Sequence, residues 1–223
     1  NLPRSSGLGS SASSVAATLV ACQSLLGAPL PAAELFVVAG RAEGLTSGAI
    51  HLDNVIPILA GGLQLLVPGP DGLPEARSLP WFDDLVLVLA SPAFELTTAA
   101  SREVLPASYP LRDTLAFAQN LAGFLHAVAT GDRPLLRRCL RDVLTEPYRA
   151  GLVPGFRAAQ AAALGEGALG CGLSGAGPAI FAVADSPAAG AVGEALRRAL
   201  AAAGLEAEIR LCGLDRKGAR VLS

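Results

Sequence analysis

The run Pro3-Arg4-Ser5-Ser6-Gly7-Leu8-Gly9-Ser10-Ser11-Ala12-Ser13 leads without a break into the apolar stretch Ser13–Leu26, which stops at Gly27. Glycine lets a backbone turn sharply and approach an anion closely. Serine adds hydroxyl donors and caps helices. A helix start offers free N–H groups and the positive end of the macrodipole. The run therefore reads as a phosphate cradle at the start of a buried helix, in preference to a Ser/Gly linker. It is not a Walker A loop, because no Lys follows the second glycine, and it does not open from a strand as a dinucleotide fingerprint does.

Working outward, Pro31 opens a second helix that runs to about Glu43, since proline suits a first turn. Leu52–Leu59 reads as a short third helix. Gly62–Val67 is strand-like and Pro68–Gly72 is a turn; Pro68–Leu79 is the best candidate for an inserted hairpin loop. Asp84–Ala90 is a buried strand. Thr98–Leu105, Leu111–Ala129, Pro134–Leu144 and Pro154–Leu164 read as helices. Leu169–Leu173 and Ala179–Ala184 are strands around a glycine-rich turn. Pro187–Ala203 is an amphipathic helix, Leu205–Leu214 an alternating strand, and Ala219–Leu222 a short last one. Strands do not alternate with helices as βαβ units require, so the class is α+β. There is no internal repeat and no linker.

Bulk properties exclude several classes. The chain has 223 residues, 52% of them hydrophobic and 16% charged, which is too apolar for disorder. Each apolar run is broken before about 18 residues, and the longest, Val15–Leu26, carries Thr18, Gln23 and Ser24, so no membrane span is expected. No signal-peptide pattern opens the chain. A net charge of −2 without a basic block argues against a nucleic-acid partner. Cys22, Cys139, Cys171 and Cys212 are far apart and read as small buried hydrophobes in a reducing cytoplasm. With only His51 and His126 to supplement them, a zinc site is not expected. The chain has no methionine even at position 1, so the natural N-terminus is expected upstream.

Three further segments concentrate polar chemistry. Gly40–Val55 brings Glu43, His51, Asp53 and Asn54 together. Phosphoryl transfer needs a carboxylate for Mg2+ and polar groups to orient the acceptor. Taken alone, His51 reads as a core histidine and Glu43 as a solvated helix end. Thr98 and Arg102 lie one helical turn apart, and Arg149 falls in the turn region after Glu146-Pro147-Tyr148. Arginine binds a carboxylate through paired hydrogen bonds, although each alone reads as a surface ion pair. Gly172-Leu173-Ser174-Gly175-Ala176-Gly177-Pro178 sits between two strands, where successive N–H groups form an anion-binding nest or merely a hairpin turn.

Together these strings resemble a known family. P-x-x-x-G-L-G-S-S-A-S resembles the second signature of the GHMP kinases. G-E…G…H-x-D-N-V-x-P, completed by Pro57, resembles the homoserine kinase branch. So do T-x-x-x-R-x-x-L-P, E-P-x-R-x-x-L-x-P-G-F and the G-L-S-G-A-G-P loop. The resemblance runs from residue 1 through the tail at Asp215–Val221.

It implies a partial ribosomal-protein-S5-like N-terminal domain over residues 1–70 and a ferredoxin-like C-terminal α/β sandwich over 71–223. It implies ATP and Mg2+, with backbone from Pro3 to Ser13 holding the phosphates and Ser11 and Glu43 holding the metal. His51, Asp53, Asn54, Thr98, Arg102, Arg149 and Gly175 are then expected at L-homoserine. Ser11, Glu43, Asn54 and Arg149 are the expected catalytic group. A homodimer is implied too. Other members of the superfamily, of the mevalonate or shikimate type, and an inactive fragment or binding module are the alternatives. The family's first signature, P-[AS]-S-x-A-N-L-G-x-G-F-D, is absent, so the chain is expected to lack the N-terminal portion and to leave the first sheet incomplete.

Overall fold

A computed structural model describes residues 2, 6–27, 29–47, 52–69 and 74–221. The expectations at Pro3, Arg4, Ser5 and His51 lie outside the described residues. The chain divides into two units.

One unit comprises Gly9–Trp81 and Leu214–Ser223. It contains helix α1 (Ser10–Leu26), α2 (Ala32–Ser47) and α3 (Val55–Ala60), then strands β1 (Leu63–Pro68) and β2 (Pro74–Leu79). Ala12, Ala39 and Val55 form its buried centre, packed by Val15, Leu19, Ile58 and Leu59. The small side chains of Ala12 and Ala39 let α1 and α2 approach closely. The expected buried character of Ser13–Leu26 is corrected here: within α1 only Ala12 and Ala16 are buried, while Leu25 is 87% exposed. Small polar residues are scattered among the apolar ones, so no stripe marks its inward face. Cys22 lies off that face and is exposed, and of the four cysteines only Cys171 is fully buried.

β1 and β2 pair antiparallel, with Leu63 opposite Leu79 and Pro68 opposite Pro74. Within the stretch expected as a hairpin loop, Pro74–Leu79 is thus a strand paired with β1. The chain's tail returns to this unit. Gly62 N–H donates to Asp215 O at 2.7 Å, and Ala219 N–H donates to Ile58 O at 2.8 Å. No strand forms over 219–221. The tail is held by isolated bonds, accepting from a turn amide and donating to a helix carbonyl, without a ladder.

The other unit comprises Asn1–Leu8 and Phe82–Gly213. Its elements are β3 (Leu85–Pro92), α4 (Thr98–Glu103), α5 (Leu111–Thr130), α6 (Arg133–Cys139), α7 (Glu146–Arg149), α8 (Phe156–Gly165), β4 (Gly170–Leu173), β5 (Ile180–Asp185), α9 (Ser186–Ala202) and β6 (Ala207–Cys212). The sheet order is β4-β5-β3-β6, antiparallel throughout. The apolar run Leu85–Ala90 takes the inner position, with Leu87 between Val183 and Cys212. Val88, Ile180 and Ala182 of the sheet pack with Phe156 of α8 and with Val192 and Leu196 of α9. The mixed α+β class stands.

The helix expected to reach Leu144 ends at Cys139. Asp142 is the cause. Its Oδ1 accepts the N–H groups of Leu144 (2.7 Å) and Thr145 (2.9 Å), and its Oδ2 accepts Glu146 N–H at 3.0 Å and the Thr145 hydroxyl. Such local bonds compete with the helical ladder and begin a new turn. That turn is α7, which carries Arg149. Burial works to raise the Asp142 carboxyl, but the Thr145 hydroxyl and the three amides outweigh it and hold it below the ordinary aspartate value.

Candidate active site

In the unit built on α1–α3, the N-cap position of α1 is Gly9, which has no side chain to cap with. The first helical bond runs from Ser13 N–H to Gly9 O at 2.9 Å. The N–H groups of Ser10, Ser11 and Ala12 thus precede the ladder and have no intrahelical acceptor. No acidic residue sits in this turn, so the dipole favours an anion there. Ser11 Oγ donates to Glu43 Oε2 at 2.8 Å. Asn54, just before α3, stands against the same turn: a Cβ at Gly9 would meet Asn54 Oδ1 at 3.5 Å. Asp53 and Asn54 are both exposed. Ser11, Glu43 and Asn54 are therefore gathered at one helix start.

A hydroxyl and a carboxylate are hard oxygen donors of the kind Mg2+ takes. Among the described residues no group of three or more His, Cys, Asp or Glu could hold a metal ion by itself. Two protein oxygens suit an ion that also takes phosphate oxygens and water. The donor set fits a nucleotide-borne Mg2+.

In the sheet unit, the two glycine loops are stitched together. Ala179 N–H donates to Ser6 O at 3.0 Å, and Ser174 Oγ donates to Gly7 O at 3.0 Å. Gly7 has φ +76°, and a Cβ there would stand 2.1 Å from Ser174 O, so only glycine fits. Gly177 N–H closes the second loop onto Ser174 O at 2.9 Å. Gly175, exposed at its tip, has φ +56°.

Thr97 caps α4 by accepting Ala100 N–H at 3.1 Å. Thr98 and Arg102, four residues apart, are both exposed, as i, i+4 neighbours on one helix face. Ser101 is fully buried and donates to Ala176 O at 2.8 Å. Arg149, half-buried at the end of α7, donates through Nε to Ser101 O and through Nη1 to Gly175 O, each at 3.2 Å. The structure thus brings Arg149 and Gly175 together and puts Thr98 and Arg102 on the adjoining helix.

Sequence reasoning did not single out Ser174, Ser101 or Glu146. Glu146 is 6% exposed. Its Oε1 accepts from Gln160 (2.9 Å) and Arg157 (3.2 Å), and its Oε2 accepts Leu173 N–H at 3.4 Å. Burial pushes its carboxyl above the ordinary glutamate value, against the pull of these donors. Cys171, pushed up to about 12 by burial and then by the Glu146 charge, is inert as a nucleophile. No sequence pattern marks a lone Ser as buried. The proline after Glu146 does mark a first helical turn.

Comparisons with known proteins show the family. The family descriptions "GHMP kinases N terminal domain" and "GHMP kinases C terminal" match residues 1–62 and 124–202. The chain is similar to the crystal structure of homoserine kinase from Cytophaga hutchinsonii, at 35% identity and a TM-score of 0.93, covering 98% of this chain and 69% of that one. A putative homoserine kinase from Listeria monocytogenes matches at 24% identity and TM-score 0.69, over 98% of this chain and 71% of that one. L. major mevalonate kinase in complex with R-mevalonate matches at 18% and 0.70, over 96% and 67%. The last two show the shared fold alone. The chain belongs to the GHMP kinases, a superfamily of ATP-using phosphotransferases.

Proposed function

We propose that the chain acts as a homoserine kinase. It transfers the γ-phosphoryl group of ATP to the side-chain hydroxyl of L-homoserine and yields O-phospho-L-homoserine for threonine synthesis, in a cytoplasmic setting. The observation that carries this reading is the 35% identity to the Cytophaga homoserine kinase across 98% of the chain, and the G-E…G…H-x-D-N-V-x-P string supports the choice of branch.

In this reading the free amides at the start of α1 hold the nucleotide phosphates. Ser11 and Glu43 hold Mg2+, which offsets charge on the β- and γ-phosphates. His51, Asp53, Asn54 and Thr98 orient homoserine, and Arg102 and Arg149 take its carboxylate. The acceptor oxygen bonds to phosphorus, the bond to the β-phosphate bridge breaks, ADP leaves, and the hydroxyl proton is released. Positioning and charge stabilisation supply most of the rate in such transfers, and we assign no general base. The ATP-binding role falls to residues 1–70 and the remainder to 71–223.

A coupled ADP-release assay over L-homoserine, mevalonate and shikimate, with and without Mg2+, tests the reading. Homoserine is expected to be the preferred acceptor and turnover to need Mg2+. Preference for another acceptor overturns the substrate assignment.

A further inference from the structure

Two consecutive carbonyls of the second glycine loop are held by side chains. Ser101 Oγ donates to Ala176 O at 2.8 Å. Arg149 Nη1 donates to Gly175 O at 3.2 Å, and Nε of the same guanidinium donates back to Ser101 O at 3.2 Å. A closed ring of bonds results, with Ser101 and Arg149 on one side and two adjacent loop residues on the other. Ser101 is 0% exposed.

The ring fixes more than the two oxygens. A trans peptide group is planar, and its N–H points opposite to its C=O. With the Ala176 carbonyl held by Ser101, the Gly177 N–H of the same peptide group is turned the other way, where it closes onto Ser174 O at 2.9 Å. With the Gly175 carbonyl held by Arg149, the Ala176 N–H is turned away from Arg149, and it has no acceptor among the described residues. Gly175 permits this arrangement because its φ of +56° is one that side chains rarely adopt. The guanidinium uses two of its donors on this ring and keeps others.

We propose that Ser101 is a positioning residue for acceptor binding. Through the Ala176 carbonyl it holds the loop so that the Gly175 carbonyl stays on Arg149 Nη1, and it thereby fixes the guanidinium whose remaining N–H groups face a carboxylate oxygen of the acceptor. This rests on the homoserine kinase reading for the identity of the acceptor. The ring itself does not depend on it. Loss of the Ser101 hydroxyl leaves a part-buried carbonyl without its donor and frees the peptide to rotate.

The experiment compares the wild type with Ser101→Ala and Ser101→Cys, whose thiol is a weaker donor. Amide hydrogen exchange at Gly177 and steady-state constants for L-homoserine and ATP are read together. In Ser101→Ala the Gly177 amide is expected to exchange about tenfold faster or more, and the KM for homoserine to rise about tenfold, as for one lost hydrogen bond. The KM for ATP is expected to stay within about twofold on the same grounds. Ser101→Cys is expected to fall between. Unchanged exchange at Gly177 shows that Ser101 does not hold the loop and overturns the proposal. Faster exchange with both KM values rising in step, alongside a lower melting temperature, reduces Ser101 to a structural residue and also overturns it. A wild type that does not use homoserine overturns the functional reading alone, and the exchange measurement still decides whether the ring holds the loop.

Discussion

The Ser11 hydroxyl donates to Glu43 Oε2 at 2.8 Å and ties the first turn of α1 to the C-terminal half of α2. One bond thus sets a hydroxyl and a carboxylate side by side at a helix start whose first amides have no intrahelical acceptor. On the proposed function the pair grips Mg2+, and removing the carboxylate removes charge where it is needed. Glu43→Gln is expected to lower kcat by about 10²-fold, in line with loss of one electrostatic group at a transferring phosphoryl. The melting temperature is expected to change little, because the pair is exposed. Initial rates over a Mg2+ titration check this; an unchanged rate and metal dependence contradicts the assignment.

Gly7 and Gly27 share a left-handed backbone and differ in surroundings. A Cβ at Gly7 would stand 2.1 Å from Ser174 O, whereas Gly27 has nothing within 4 Å. Gly27→Ala is expected to cost about 1 kcal/mol, the strain of the backbone conformation alone. Gly7→Ala is expected to cost about 3 kcal/mol or more, because backbone must move, and to weaken ATP binding. Chemical denaturation and nucleotide titration of both variants check the contrast.

The helices were largely readable from the sequence. α5 was expected at Leu111–Ala129 and occupies Leu111–Thr130, because Pro110 and Gly131 punctuate a strongly amphipathic run. β3 was legible as an unbroken apolar stretch. What was not legible depends on contacts far apart in sequence. Nothing local reveals that the tail at Asp215 and Ala219 bonds to Gly62 and Ile58. Nor does the sequence show that Asp142 ends α6 with its carboxylate, since an Asp within a helical pattern is tolerated on a solvent face. At the candidate site the motifs point to Ser11, Glu43 and Arg149, and the structure bonds Ser11 to Glu43 and Arg149 to the Gly175 carbonyl. Ser101 carries no mark in the sequence, because its role depends on burial against the Ala176 carbonyl, 75 residues away.

Asp142 and Glu146 are four residues apart, and their carboxyls are shifted in opposite directions. The Asp142 carboxyl is held below its ordinary value. Its stabilising contribution is therefore complete above the unfolded aspartate value and is lost as pH falls through the lower, folded one. Asp142→Ala is expected to cost about 1–2 kcal/mol near neutral pH, as for a lost helix cap, and the cost to shrink in acid below the ordinary aspartate range.

Glu146 is held above its ordinary value by burial, so folding favours its protonated form. Wild-type stability measured against Glu146→Gln is expected to rise as pH falls through that raised value. Urea melts across pH, taken as differences from each variant, separate the two groups. A Glu146 difference that is flat with pH contradicts the stated direction.

Arg102 is exposed on α4 beside Thr98, so its removal tests binding with little effect on folding. Arg102→Ala is expected to raise the KM for homoserine by about tenfold or more, the loss of a charge-assisted contact to a carboxylate, while the melting temperature holds. Arg102→Lys is expected to recover only part of the loss, because lysine lacks the planar fork. Equal constants for all three proteins contradict the role.

The most direct test of the central claim is 31P NMR of the protein incubated with ATP, Mg2+ and L-homoserine. The account predicts a phosphomonoester signal that grows in step with ADP and coincides with authentic O-phospho-L-homoserine. ADP and inorganic phosphate without that ester, or an ester formed from mevalonate in preference to homoserine, would contradict it.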